Sequence, residues 1–152
     1  MSIQPSRFPC LNPWREREAA LPAAVWEWVE ALPESVAEAQ MAASAELLPV
    51  LDRLEPDAIT RAAALIHPLL QIHPALKLPQ GVPKGLLDGQ DQAEKVWSIH
   101  AEQDSQRGAE GLRRLLLSIV HDLRVVPILL ARQLLRMRQA SRAPDDERRR
   151  LA

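Results

Sequence analysis

Cysteine, glycine and tyrosine are scarce in this sequence of 152 residues, which has one cysteine, five glycines and no tyrosine. The lone cysteine, Cys10, excludes an internal disulfide framework and is typical of a reducing compartment. Few glycines and no tyrosine, beside abundant Ala, Leu, Glu, Gln and Arg, favour helices over sheets. We therefore predict an all-α fold and a cytoplasmic protein.

Long apolar runs and a charged leader are also lacking. The first residues, MSIQPSRFPCLNPW, do not have the charged start and apolar core of a signal peptide. The longest apolar stretches, such as residues 125–131, are too short to span a bilayer. Hydrophobic residues still make up 47% of the chain, which is enough for a core and argues against disorder. The sequence predicts a soluble protein without a membrane partner.

The net charge of −1 hides an asymmetry between the two ends of the chain. Residues 1–106 carry 8 basic and 15 acidic side chains, and residues 107–152 carry 11 arginines and 5 acidic side chains. Such a split can mark a surface for nucleic acid or for another acidic partner. Neither glycine-rich segments nor interleaved aromatic residues accompany the arginines. Solvated helix faces are therefore the favoured interpretation, and nucleic-acid binding is an alternative.

Proline positions divide the chain into an arm and one helical domain. Residues 1–20 hold three prolines without periodicity and predict an irregular N-terminal arm. Residues 21–152 predict a single domain. Its first helices are expected at residues 21–32, from the capping-box pair Ser35 and Glu38 to Leu54, at 55–72 and, as one helix or two, at 85–103. Pro49 should kink or divide the second helix.

The strongest pattern lies in residues 110–139, which are apolar on most of a helix circumference. We predict that this segment is the central, nearly buried helix and that Pro127 bends it. Residues 141–152 begin a further helix, with Pro144 and three acidic residues in its first turn. The sequence ends two turns later, so we expect a helical bundle truncated at its C-terminal end. Its uncovered apolar surface predicts self-association.

Four histidines are candidate metal ligands: His67, His73, His100 and His121. None forms a pair at ligand spacing, and a transition-metal site needs three or four convergent ligands. His121 and Asp122 form an HD dipeptide, but adjacent helical residues point about 100° apart. Scattered structural histidines are the favoured interpretation. Glycine-rich phosphate loops, serine elbows and CxxC motifs are absent, and Cys10 has no adjacent base to activate it.

Three segments carry a family resemblance: RRLLLSIVHDLRVVPILLARQLLRMRQASRAPDDER, LLDGQ and EPDAITRAAALIHPLLQI. The first is similar to a family segment that ends in KLADRLHNMR, the second to the family segment LVDGV, and the third to a family helix that ends in AALLHDVVEDT. These family segments belong to the N-terminal HD domain of the RelA/SpoT-type (p)ppGpp synthetase/hydrolases, which residues 47–152 resemble. The resemblance implies an HD-domain-like helical bundle and a role in the bacterial stringent response.

Most of the positions that bind metal and activate water in that family are replaced here. The resemblance places the first metal-binding His at Ala43, the HD pair at His67 and Pro68, the water-activating Glu–Asp dyad at Gln71 and Ile72, the last metal-binding Asp at Arg132, and the nucleotide-contacting Asn at Arg136. One metal ligand in four survives. A guanidinium close to a divalent ion is strongly repulsive. The resemblance therefore implies a degenerate site without catalytic residues, metal or cofactor.

The function that follows from the resemblance is that of a catalytically inactive, (p)ppGpp hydrolase-like regulatory domain of a GTP pyrophosphokinase. Its expected partner is the synthetase domain of the same or a related protein. Two alternatives stay open. One is an active metal-dependent HD phosphohydrolase that uses His67, His100, His121 and Asp122. The other is an Arg-rich helical module that binds nucleic acid.

Overall fold

The computed structural model describes residues 5–101 and 123–142, with the side chains of 5–96 and 123–141. Its elements are a 3₁₀ turn at Pro9–Leu11 and the helices α1 Asn12–Arg15, α2 Ala23–Glu30, α3 Glu38–Ala45, α4 Leu47–Asp52, α5 Ala58–Ile72, α6 Lys84–Ala101 and α7 Val125–Arg142. No strand occurs in these two ranges, so the all-α prediction is confirmed. Within them, no helix is both long enough and apolar enough to cross a membrane.

Helix α5 lies at the centre of the described fold. It begins as predicted, because Asp57 caps it and its Oδ1 accepts a hydrogen bond of 2.7 Å from the backbone N–H of Thr60. Its residues from 60 to 67, and Leu69, are buried. Three successive alanines, 62–64, are fully buried and let neighbouring helices pack closely against this stretch.

The prediction of a central, nearly buried last helix is wrong for the part that the structure describes. Leu123 and Arg124 form a turn, and α7 begins only at Val125, so the predicted helix of residues 110–139 is interrupted there. Pro127 is tolerated in the first turn of α7, where a missing N–H breaks no helical hydrogen bond. One face of α7 is buried and the other is exposed. Residues 102–122 and 143–152, with the further helix expected from 141, lie outside the described residues.

Prolines and caps set the boundaries of the shorter helices. Pro22 is the N-cap of α2. Helix α3 begins at Glu38 rather than near Ser35, because Gln40 Oε1 accepts the backbone N–H of Ala37 at 3.1 Å. The division expected at Pro49 is confirmed, since α3 ends at residue 45 and α4 begins at residue 47. Residues 84–101 form one helix, the simpler of the two predictions for that segment.

The irregular arm predicted for residues 1–20 is corrected at residues 9–15, which form the 3₁₀ turn and α1. Each of these turns has a proline at its start, where proline favours rather than breaks a helix. Phe8, Leu11 and Trp14 are buried in the hydrophobic core. The division into an arm and a domain stays a prediction, but this segment packs as part of the fold.

Candidate functional site

Polar side chains from three helices meet where α5, α6 and α7 pack together. Helix α5 supplies His67, α6 supplies Gln90, Asp91 and Glu94, and α7 supplies Arg132. The close approach of α6 and α7 depends on Gly89, since a Cβ atom there would lie 3.0 Å from Cγ2 of Val125. We call these five polar residues the interhelix cluster.

His67 is buried, and its ring is fixed by one carboxylate. Its Nε2 lies 2.6 Å from Oδ1 of Asp91. Because an ionised carboxylate only accepts hydrogen bonds, Nε2 carries the proton in this pair. Nδ1 is buried and has no hydrogen-bond partner in the described part of the chain. Burial, with the positive charge of Arg132, lowers the pKa of His67 in spite of the hydrogen bond to Asp91. The imidazole is therefore neutral at pH 7.

Arg132 is the cation of the cluster and is largely shielded from solvent. Its side chain is 11% exposed. One terminal nitrogen donates to Glu94 Oε1 at 3.0 Å and the other to Gln90 Oε1 at 2.8 Å. Burial lowers the pKa of Arg132 and Glu94 raises it, but a guanidinium stays protonated inside proteins. The Arg132–Glu94 pair therefore joins α7 to α6.

Gln90 extends this connection to the central helix. Its Nε2 donates to the backbone carbonyl of Ala63 in α5 at 3.2 Å and to that of Leu86 at 3.3 Å. Its Oε1 accepts from Arg132, so a single buried amide bridges α5, α6 and α7. On the solvent side, Arg136 makes a second contact of 3.2 Å with Glu94.

The remaining positions that the resemblance assigned to the catalytic machinery place no metal-binding side chain next to His67. Ala43 is exposed on α3 and Pro68 is half-buried in α5. Neither side chain has an atom that could bind a metal ion. Gln71 and Ile72 are exposed at the end of α5. In residues 5–101 and 123–142, no three His, Cys, Asp or Glu side chains lie close enough to hold a metal ion. The described residues at this place do not fit a metal site.

A cleft of about 310 Å³ opens beside the interhelix cluster, between the end of α5 and the start of α6. His67 and Gln71 line it, together with Asp91 from the cluster. Leucines 70, 78 and 87 form its apolar part, and Lys84 and Asp88 add charges of opposite sign. Of the assigned positions, the structure thus brings His67 near Gln71 and near Arg132.

The other sequence candidates are not part of this cluster. His73 follows the last residue of α5, and its Nε2 lies 2.8 Å from Oε1 of Gln40. Cys10 is half-buried, and burial raises the pKa of its thiol, which disfavours the nucleophilic thiolate. The side chains of His100, His121 and Asp122 lie outside the described residues.

Sequence reasoning missed Gln90, Asp91 and Glu94. The available signal was the i, i+4 spacing of Gln90 and Glu94, which places two hydrogen-bonding side chains on one face of α6. Ala93 and Leu86, at compatible spacing, are buried on that helix. Polar residues in line with buried apolar ones predict a polar contact inside the fold, but not its partner.

A comparison with known protein families matches the HD domain to residues 30–152. The chain belongs to the HD-domain family. The chain is 32% identical over 111 residues to the GTP pyrophosphokinase of Escherichia coli strain K12. It is 35% identical over 112 residues to the GTP pyrophosphokinase of Photobacterium angustum. These matches place it among the HD domains of the RelA/SpoT family, as the sequence predicted.

The HD domain corresponds to a small part of these relatives. Each alignment covers 68% of this chain but 15% of the relative's length. No solved structure matches the chain significantly. The alignments therefore show the family of this domain and not the activity of the complete relatives.

The lowered pKa of His67 predicts that the domain loses stability at mildly acidic pH. Because its pKa is lowered on folding, the unfolded chain binds the proton first as the pH falls. The contribution of His67 is complete above its usual pKa of about 6.5 and declines as the pH falls toward the folded-state value. Melting temperatures measured by circular dichroism should fall through this window. A His67→Gln variant, which does not titrate, should show a flatter profile, and identical profiles would contradict the assignment.

Proposed function

We propose that this HD domain is a catalytically inactive relative of (p)ppGpp hydrolases that regulates a GTP pyrophosphokinase through protein contacts. The observation that carries the proposal is the position of Arg132. The family resemblance assigns this residue to a metal-binding aspartate, and its guanidinium is engaged by Glu94 and Gln90 beside His67. A cation held at this place opposes the binding of a divalent ion.

The chemistry of the neighbouring positions supports the same proposal. Water activation in a metal-dependent hydrolase needs a bound cation and a carboxylate to take up the proton. The two positions assigned to the water-activating dyad are Gln71 and Ile72, which cannot accept a proton at neutral pH. Nε2 of His67, the one assigned ligand that keeps its identity, is occupied by Asp91.

The proposed mode of action is a bias on the conformation of a synthetase domain. A domain without chemistry of its own can favour one state of a partner only if it contacts the two states differently. The relatives are GTP pyrophosphokinases, so the synthetase domain of such a protein is the proposed partner. Self-association through apolar surface stays a prediction.

The proposal predicts that the chain neither holds metal nor hydrolyses (p)ppGpp. Protein purified without chelator should contain no stoichiometric Mn, Fe or Zn by elemental analysis. Supplementing with Mn should give no turnover of (p)ppGpp, with an active family hydrolase as the positive control. The His67→Ala variant should leave both results unchanged, because His67 holds no metal in this proposal.

The alternatives give different results in the same preparation. Stoichiometric metal with turnover, lost in His67→Ala and in His121→Ala, would replace the proposal with the active phosphohydrolase. Affinity for RNA that falls steeply with salt would favour the nucleic-acid module.

A further inference from the structure

Helix α7 presents a second apolar face on the side away from the core. Val126, Leu130, Leu134 and Met137 are exposed to between 36% and 66%. They are spaced four, four and three residues apart, so they line one side of the helix. The buried residues Val125, Ile128 and Leu129 lie on the opposite side. We call the four exposed residues the α7 seam.

The α7 seam has the form of a helix-binding surface. Apolar residues that alternate at intervals of three and four form a narrow stripe, which is the pattern by which two helices pack side by side. Scattered exposed apolar residues are ordinary, but a contiguous row of four large side chains marks a contact surface. Leu123, in the turn before α7, is 75% exposed and lengthens the row.

The charge of α7 selects the partner. Its sequence contains four arginines, at 132, 136, 138 and 142, and no acidic residue. Glu94 from α6 balances part of this charge on the buried side through Arg132 and Arg136. Arg138 comes directly after Met137 and four residues after Leu134, next to the α7 seam. A partner helix with acidic residues beside its apolar stripe is complementary to this arrangement.

The α7 seam does not suit a second copy of itself as its occupant. From Val126 to Met137 it is about 17 Å long and about one helix wide. Its footprint, on the order of 200 Å², is below the roughly 800 Å² that each partner contributes to a stable interface, so any partner that contacts only the seam binds weakly. Two copies that met seam to seam would bring the arginines of α7 against each other rather than against acidic residues.

We propose that the α7 seam docks an amphipathic helix whose apolar stripe is flanked by acidic residues. This inference rests on the proposed regulatory function, because a domain that acts through contacts needs a surface for them. It adds the place of one contact and the chemistry of what binds there.

The test uses two synthetic helical peptides as probes. Both carry the same leucine stripe, one flanked by glutamates and the other by lysines. Fluorescence anisotropy with the intact 152-residue chain should show binding of the glutamate peptide that weakens as salt is added. Binding of the lysine peptide should be at least roughly tenfold weaker, since like charges oppose it.

Matched variants locate the binding. Leu130→Ser and Leu134→Ser should each weaken the glutamate peptide by roughly tenfold or more, the expected effect of losing one buried leucine contact. Leu54→Ser, at a side chain that is 41% exposed and outside α7, should leave the affinity unchanged. Because all three sites are exposed, circular dichroism should show folded proteins.

Several results would overturn the inference. These are the absence of binding at millimolar glutamate peptide, equal binding of the two peptides, or the same loss with Leu54→Ser. A stable dimer in sedimentation that Leu130→Ser dissociates would identify a second copy as the occupant instead. Bound metal or hydrolysis would refute the proposed function without changing peptide binding, so the two failures can be told apart.

Discussion

Replacing Arg132 by methionine is expected to destabilise the HD domain by about 2 kcal/mol, because Glu94 keeps only its exposed contact with Arg136 and loses a shielded hydrogen bond between charged groups. Methionine keeps the volume of the side chain but donates no hydrogen bond. Glu94 would lose its buried partner, and Oε1 of Gln90 its donor. Urea unfolding followed by circular dichroism gives the free energy of unfolding directly.

Arg136→Met is the matched control for this experiment. Arg136 contacts the same Glu94 oxygen but is 52% exposed. Exposed ion pairs contribute about 1 kcal/mol or less, so this variant should stay close to the wild type. Equal losses in the two variants would show that the buried position of Arg132 has no special role. The double variant Arg132→Met, Glu94→Met should recover stability relative to Arg132→Met alone, since both charges are then removed.

The parts of the fold that were predictable depend on local chemistry. Asp57 begins α5 because its side chain satisfies an N–H within the same turn, a contact that needs no other helix. Pro49 separates α3 from α4 because a residue without an N–H cannot continue the helical hydrogen bonds. Such effects act over a few residues, and the sequence displays them directly.

The parts that were not predictable depend on which helices become neighbours. The periodicity of α7 shows apolar residues on two faces but not that one of them stays exposed. The three alanines of α5 are weak as a hydrophobic signal, although their small size places this helix at the centre. The sequence pattern predicted that the more apolar helix, α7, lies at the centre of the fold. In the structure the centre is occupied by α5, the helix that its neighbours can approach most closely.

The candidate site, too, was predictable from the sequence only in part. The resemblance pointed to His67 and Arg132, and the structure brings these two residues near each other. Their partners on α6 could not be inferred, because hydrogen bonds across 24 to 42 residues depend on the tertiary fold. These partners on α6 stabilise Arg132 inside the fold, since an unpaired buried guanidinium would be strongly unfavourable.

Replacing Asp52 by alanine is expected to cost about 3 kcal/mol and to loosen the N-terminal segment from the core. Its Oδ1 accepts from Nε of Arg61 at 2.9 Å, and its Oδ2 accepts from Trp14 at 2.9 Å and Arg17 at 2.8 Å. Arg61 is 7% exposed and also donates to the backbone carbonyl of Ala20. Without Asp52 this buried guanidinium loses its counter-charge. Urea unfolding measures the loss, and faster proteolysis within residues 5–20 would report the loosening.

The pH dependence separates this electrostatic explanation from a simple packing defect. Burial raises the pKa of Asp52. The hydrogen bonds from Trp14, Arg61 and Arg17 together lower it by more, so the pKa lies below its usual value. Its contribution is therefore complete above about pH 4 and is lost as the pH falls through the folded-state pKa. The gap between wild type and Asp52→Ala should narrow in that acidic range. Arg17→Gln, at a side chain that is 51% exposed, should change stability by about 1 kcal/mol or less. A gap that stays constant with pH would mean that Asp52 acts through its shape, not its charge.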